Sequence, residues 1–208
     1  MTTHYCYTES PLGRILLVGD FQGLSRLNIQ EGPAPLLPET HWRKDGAFFM
    51  TAIIQLNEYF AGDRQQFNLR LNPEGSEFQR LILSSVARIP YGETASYSDI
   101  ARAVGKPKAV KSIASAMKNN NLPIILPCHR VVSRSGKQSE YNGGLKAREW
   151  LIDLELGKHR AAEEARRLAE TAQNDTEQAL NQKASATKTI KAKGGRAKAA
   201  TAQYKMHL

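Results

Sequence analysis

Three runs of branched and aromatic residues open the chain: "THYCYTES", "GRILLVGD" and "GLSRLNIQ". The breaks between them, "SPLG" and "GDFQG", carry the Pro, Gly and Asp that suit tight turns, so the pattern predicts strands over residues 1–30. A loop with Pro33, Pro35 and Pro38 follows. "FFMTAIIQLNEYFAG" has helical periodicity and stops at Gly62, and "QQFNLRLN" alternates like a half-buried strand. These elements make a small α/β unit ending near Pro73.

The pattern changes at Gly75. "SEFQRLILSSVARIPYG" reads as an amphipathic helix with Ser76 as N-cap, stopped by Pro90 and Gly92. "SYSDIARAVG" is a short helix capped by Ser96 or Ser98 and ended by Gly105. "KPKAVKSIASAMKNN" is a second, starting at or just after Pro107. Two helices joined by a tight Gly-containing turn predict a helix-turn-helix, whose recognition helix carries Lys108, Lys111, Ser112, Ser115 and Lys118. Next come the buried segment "NNNLPIILPCHRVV", the polar loop "SRSGKQSEYNGG" and the helix "LKAREWLIDLELG". In that helix Leu145, Trp150, Leu151 and Leu154 lie on or near the apolar side. "AAEEARRLAETA" is able to extend it. The Lys- and Ala-rich remainder is low-complexity, basic and expected to be disordered. No repeat of fixed period is present.

Composition narrows the classes. No window approaches the run of roughly 18 apolar residues that a membrane helix needs. The first residues lack the basic-then-apolar pattern of a secretory signal. Two cysteines, Cys6 and Cys128, do not make a secreted disulfide scaffold, so a reducing cytoplasm is the simpler setting and Cys128 a free thiol. The net charge of +9 favours a polyanionic partner, most often nucleic acid. Seven Lys or Arg fall after residue 182, however, with no acidic residue among them, which leaves the rest of the chain near +2. Whole-chain charge therefore says little about the folded part.

The chemistry concentrates in "PCHRVV". A thiol reacts as thiolate, and few thiols ionise at neutral pH without help from a base. His129 is placed to be that base, directly or through water. It would need a carboxylate to fix its tautomer. Glu155, set among Leu151, Ile152, Leu154 and Leu156, is the candidate, because an unpaired carboxylate there would be costly. Taken alone, the pair reads more readily as a buried inert cysteine beside a core histidine. One Cys and one His fall short of a tetrahedral zinc set, so no metal is expected.

Read with its flanks, the segment resembles the active-site region of the O6-alkylguanine-DNA alkyltransferases, the suicide methyltransferases that repair O6-methylguanine. "NNNLPIIL" precedes it, "EYNGGLKAREWLIDLE" follows, and "FQRLILSSVARIPYGETASYSDIARAVGKPKAV" extends the similarity upstream, over about residues 76–155. The resemblance implies an α/β (α+β) chain, with a ribonuclease-H-like small sheet and helix over 1–73. A mainly helical DNA-binding and active-site domain with the helix-turn-helix would span 74–160, and a basic tail, disordered in part, 161–208. It implies Cys128 as nucleophile, His129 as base through water, Glu155 as its orienting group and Tyr97 as hydrogen-bond donor to the guanine ring. Asn142 would lie near the guanine O6, and Tyr141 and Gly143 would line the pocket. Carbonyls near Cys128 and Val131 would receive the exocyclic amine. Asn120 would tie the recognition helix to the active-site segment, and Arg130 matches as well, with a structural role. Lys108, Lys111 and Ser115 would face DNA.

On this resemblance the partner is double-stranded DNA carrying O6-alkylguanine, with O4-alkylthymine as a further lesion. No cofactor is needed, because the lesion supplies the alkyl group. A monomer acting in the cytoplasm, nucleoid-associated when bound, is expected. The base must leave the stack to reach a buried thiol, and a minor-groove approach lets a side chain wedge into the gap. A lesion sensor, or a helix-turn-helix protein without transfer, is the alternative, and the presence of Cys128 argues against the sensor. The chain departs from the family pattern in places. Lys111 stands where an arginine usually fills the gap left by the flipped base, and lysine lacks the planar stacking face of guanidinium. Arg148 replaces a common lysine, Ser139 and Glu140 precede "YNGG", and "LIL" stands in the first helix of the second half where an aromatic is frequent.

Overall fold

A computed structural model describes residues 2–133 and 141–161. The three apolar runs form β1 (His4–Thr8), β2 (Ile15–Asp20) and β3 (Gly23–Ile29), paired antiparallel in sequence order. β2 lies between the other two and buries Ile15, Leu16, Leu17 and Val18 on both faces, which is why it reads as a continuous apolar run. The sequence pattern did not signal β4 (Arg43–Lys44), which pairs parallel with β1 at the sheet's far edge. Two exposed polar residues carry no alternation to recognise.

After a single 3-10 turn, α1 (Met50–Phe60) turns Ala52, Gln55, Leu56 and Tyr59 toward the core at the i, i+3, i+4, i+7 spacing of one helix face. "QQFNLRLN" is not a strand. Its alternation is real, with Phe67, Leu69 and Leu71 half-buried and Asn68 and Arg70 exposed. Only one bridge, Leu24 to Leu71, joins it to β3, flanked by Leu24 N–H to Arg70 O and Asn72 N–H to Leu24 O. Further along the same edge, Leu27 N–H donates to the Asn121 carbonyl at 2.8 Å, tying the sheet to the segment before Cys128.

The second half contains α2 (Glu77–Val86), β5 (Ala95–Ser96), α3 (Tyr97–Ala103), α4 (Val110–Lys118), β6 (Val131–Val132) and α5 (Leu145–Glu155). Ser76 caps α2 by accepting from Gln79 N–H. Ser96, not Ser98, caps α3, in a reciprocal capping box with Asp99. α4 begins at Val110, three residues beyond Pro107, because residues 107–108 form a turn and Ala109 takes the N-cap position. α3, Gly105 in the left-handed region and α4 make the expected helix-turn-helix, with Ile113, Ala116 and Met117 packed inward. On α5, Leu151 and Leu154 are buried, whereas Leu145, expected on the apolar side, is exposed in the first turn.

One apolar cluster runs from Ile15, Leu27 and Leu56 through Ile82, Val86 and Ile113 to Leu151, so sheet and helices share a core within residues 1–158. Each fully buried Leu or Ile contributes about 1.5–3 kcal/mol. Among the described residues no helix is long and apolar enough to cross a membrane. Residues 134–140 of the polar loop and the expected disordered tail from residue 162 lie outside the described residues.

Candidate active site around Cys128

Pro127 ends the apolar run, and Cys128–Arg130 form one 3-10 turn leading into β6. β6 pairs parallel with β5, Ala95 to Val131 and Ser96 to Val132. That short ladder brings the start of α3, and so Tyr97, alongside the cysteine turn. The approach to the turn is clamped by Asn120, which is completely buried. Its Nδ2 donates to Leu126 O at 2.8 Å and to Cys128 Sγ at 3.1 Å, while its Oδ1 accepts from Leu122 N–H at 3.0 Å. Within this loop buried Ile124 sits at φ +75°, a left-handed conformation that β-branched residues avoid and that costs on the order of 1–3 kcal/mol.

Cys128 is free and 5% exposed. Burial pushes its thiol up to about 11, against the lowering influence of the Asn120 amide, its own backbone N–H and the Arg148 charge. The resting thiol is therefore protonated and needs a base. His129 is wholly buried, and its Nε2 lies 2.8 Å from Glu155 Oε1. Burial, reinforced by the charges of Arg130 and Arg148, lowers its pKa despite the Glu155 carboxylate, so the ring is neutral at rest. Burial alone would raise the Glu155 carboxyl, but bonds from His129, Arg130 and Tyr59 hold it down to about 2. An ionised carboxylate only accepts, so His129 carries its proton on Nε2 and leaves the Nδ1 lone pair open. Among the described residues no hydrogen-bond partner reaches Nδ1.

Glu155 is the hub. Oε1 accepts from Tyr59 Oη at 2.6 Å and Arg130 Nη2 at 2.9 Å besides His129, and Oε2 accepts from Arg130 Nε at 2.9 Å and Gly92 N–H at 3.1 Å. Arg130 Nη1 donates to Ile89 O at 2.6 Å, and its guanidinium lies over the Tyr91 ring. Arg130 thus points into the core. Arg148 is buried too, and Nη2 donates to Val131 O at 2.6 Å. That carbonyl, expected to receive the guanine amine, keeps one lone pair for it.

The other expected residues are placed as follows. Tyr97 opens α3, half-buried. Tyr141 is buried edge-on to His129. Asn142 Nδ2 donates one N–H to Asn120 O at 2.9 Å, and the same amide nitrogen carries a second N–H. Gly143 is buried where a Cβ would lie 2.5 Å from Ile29 Cδ1. A cavity of about 760 Å³ opens beside Tyr141 and Asn142, with Pro33 and Ala34 of the first half, Lys118 of α4 and the following Asn119 on its walls. Lys108, Lys111 and Ser115 are exposed on and before α4. Sequence reading missed Tyr59 and Gly92. Gly92 had a weak signal as a turn glycine, and Tyr59 had none, being 96 residues from its partner.

Comparison with known proteins agrees with this geometry. Residues 3–73 match the ribonuclease-like domain of the 6-O-methylguanine DNA methyltransferases, and residues 77–157 match their DNA binding domain. A methylated-DNA–protein-cysteine methyltransferase of Methanosarcina acetivorans is 41% identical over 152 residues, which is 73% of this chain and 97% of that protein. The constitutive one of Bacillus subtilis is 37% identical, over 73% and 94%. The crystal structure of a Mycobacterium tuberculosis O6-methylguanine methyltransferase superposes with a TM-score of 0.69 at 38% identity, covering 74% of this chain and 93% of that one. A structure titled Mycobacterium tuberculosis OGT in complex with DNA matches equally well. With both domain models matched in order and relatives covered almost end to end, the chain belongs to the 6-O-methylguanine DNA methyltransferase family.

Proposed function

We propose that this chain repairs O6-alkylguanine in double-stranded DNA by moving the alkyl group onto Cys128 Sγ, once per protein molecule. The observation that carries the reading is a buried thiol next to an imidazole whose Nε2–H is held by an ionised carboxylate and whose Nδ1 is left as acceptor. The thiol proton passes, through water, to His129 Nδ1. The thiolate attacks the alkyl carbon, the S–C bond forms, and the C–O6 bond breaks with its electron pair leaving on guanine. Tyr97 donates a hydrogen bond to the departing base. The imidazolium formed at His129 is stabilised by Glu155, which Arg130 keeps ionised. Asn120 steadies Sγ through its amide N–H as charge develops. The thioether has no route back, so turnover stops at one.

The remaining residues serve recognition. Lys108, Lys111 and Ser115 present α4 to the duplex, and Lys111 takes the place of the flipped base. Tyr141, Asn142 and Gly143 wall the pocket, and the Val131 carbonyl reads the exocyclic amine. Residues 1–73 and 74–160 act as two domains, supported by the two family matches, with 161–208 as a basic tail. The protein acts as a monomer in the cytoplasm, on the nucleoid when bound, and O4-alkylthymine is a second lesion. The test is intact-protein mass after mixing with an equal amount of duplex holding one O6-methylguanine. The expected gain is one methylene on Cys128, absent in Cys128→Ala. Tight lesion binding without that gain would favour the sensor reading instead.

A further inference from the structure

The carboxylate that orients His129 is shared with the other half of the chain. Tyr59, on α1, is fully buried and donates to Glu155 Oε1 at 2.6 Å, the same oxygen that faces His129 Nε2 at 2.8 Å. Its ring is fixed by Phe60, Phe67 and Tyr91, with centroids 5.3–6.0 Å away, so the hydroxyl has no other place to go. We propose that Tyr59 is a positioning residue for the transfer reaction: by donating to Oε1 it sets how much of the Glu155 charge reaches His129, and so the basicity of the imidazole. The inference rests on the reading of His129 as the base.

The physical argument is charge sharing at one oxygen. Arg130 and Gly92 already hold the carboxylate in place, through both oxygens and one respectively. Orientation therefore survives without Tyr59, and what its hydroxyl adds is a second donor on the oxygen His129 uses. The phenol is kept neutral, because burial and then the adjacent Glu155 charge push its pKa far up, so it donates its proton to the ionised carboxylate. Arg130 and Arg148 also face His129 and disfavour the imidazolium, while the Cys128 thiol and Tyr141 hydroxyl complete the titratable surroundings. Removing the Tyr59 hydroxyl concentrates Oε1 charge on Nε2–H and stabilises the imidazolium. The pKa of His129 then rises. Since only the neutral ring accepts the thiol proton, the low-pH limb of the transfer rate moves to higher pH.

The test is the single-turnover transfer rate to O6-methylguanine duplex between pH 5 and 9, for the whole chain and for Tyr59→Phe, which keeps the ring and its packing. The His129 ring nitrogens are followed in parallel by 15N NMR. The expected result is an upward shift of the limb and of the imidazole titration by about 1 pH unit, with unchanged affinity for the lesion duplex. An unmoved limb, a downward shift, or no limb in either protein overturns the inference, as a purely structural tyrosine would leave both readouts in place. A parent protein that transfers no methyl group overturns the reading of the site and this inference with it. Transfer with a limb indifferent to Tyr59→Phe overturns this inference alone.

Discussion

Replacing Arg130 by Met tests the buried ion pair on which the site is built. Arg130 is 6% exposed and Glu155 8%, and the guanidinium reaches Oε1 and Oε2 at 2.9 Å each while also satisfying Ile89 O at 2.6 Å. Methionine fills most of the volume but leaves a buried carboxylate with only His129, Tyr59 and Gly92, and a carbonyl without its donor. Breaking such a pair from one side costs about 3–5 kcal/mol, which for a domain of this size lowers Tm by roughly 6–20 °C. The pH dependence gives a second readout. In the folded chain Glu155 ionises at about 2 against an ordinary 4.5, so it contributes roughly 3 kcal/mol of stability above its unfolded pKa. That contribution is lost as pH falls from about 5 to 2. Without Arg130 the burial cause dominates and Glu155 protonates at higher pH in the folded chain, so the acid loss from this group shrinks or reverses and the variant's deficit narrows as pH falls. Urea unfolding at pH 7 and at pH 5 measures both. A cost below about 1 kcal/mol at pH 7, with an unchanged acid profile, would refute the claim that this pair supports the site.

Asn120→Ala removes the N–H from Cys128 Sγ and from Leu126 O. The thiol, already up at about 11, should rise further, and its alkylation by iodoacetamide at pH 8 should slow by about tenfold, as loss of a charge-assisted bond implies. Gly143→Ala places a methyl 2.5 Å from Ile29 Cδ1 and 3.0 Å from Tyr141 Cε1, so it should cost about 1–3 kcal/mol in urea unfolding and slow methyl transfer.

The parts of the fold with long periods were legible in the sequence. Strands β1 to β3, α1, α2 and the helix-turn-helix followed from apolar spacing and caps, because burial there repeats over several turns or pleats. β4, β5 and β6, of two residues each, left no period to read. "QQFNLRLN" had the right alternation yet no ladder, since alternation reports which side faces the core and not whether backbone hydrogen bonds form. At the site, Cys128, His129 and Glu155 were readable because an apolar run makes each polar residue conspicuous. Tyr59 was not, because a tyrosine on a helix face looks like core whether or not its hydroxyl has a charged partner. Arg130 was expected to have a structural role, and the fold supplies its partner, Glu155.

The backbone bond from Leu27 to Asn121 also governs how the chain can fail. β3 is an edge strand, and an open edge with apolar side chains is a template for another chain. Here that edge is closed in turn by residues 70–72 and by Asn121, while Ile29 beyond it packs against Gly143. A chain cut after Pro73 keeps the first closure and loses the second. It bares the Leu27 N–H and Ile29 together, so its failure is self-association along β3 before it is loss of the sheet. The active-site segment thus doubles as the seal on the sheet that supports it.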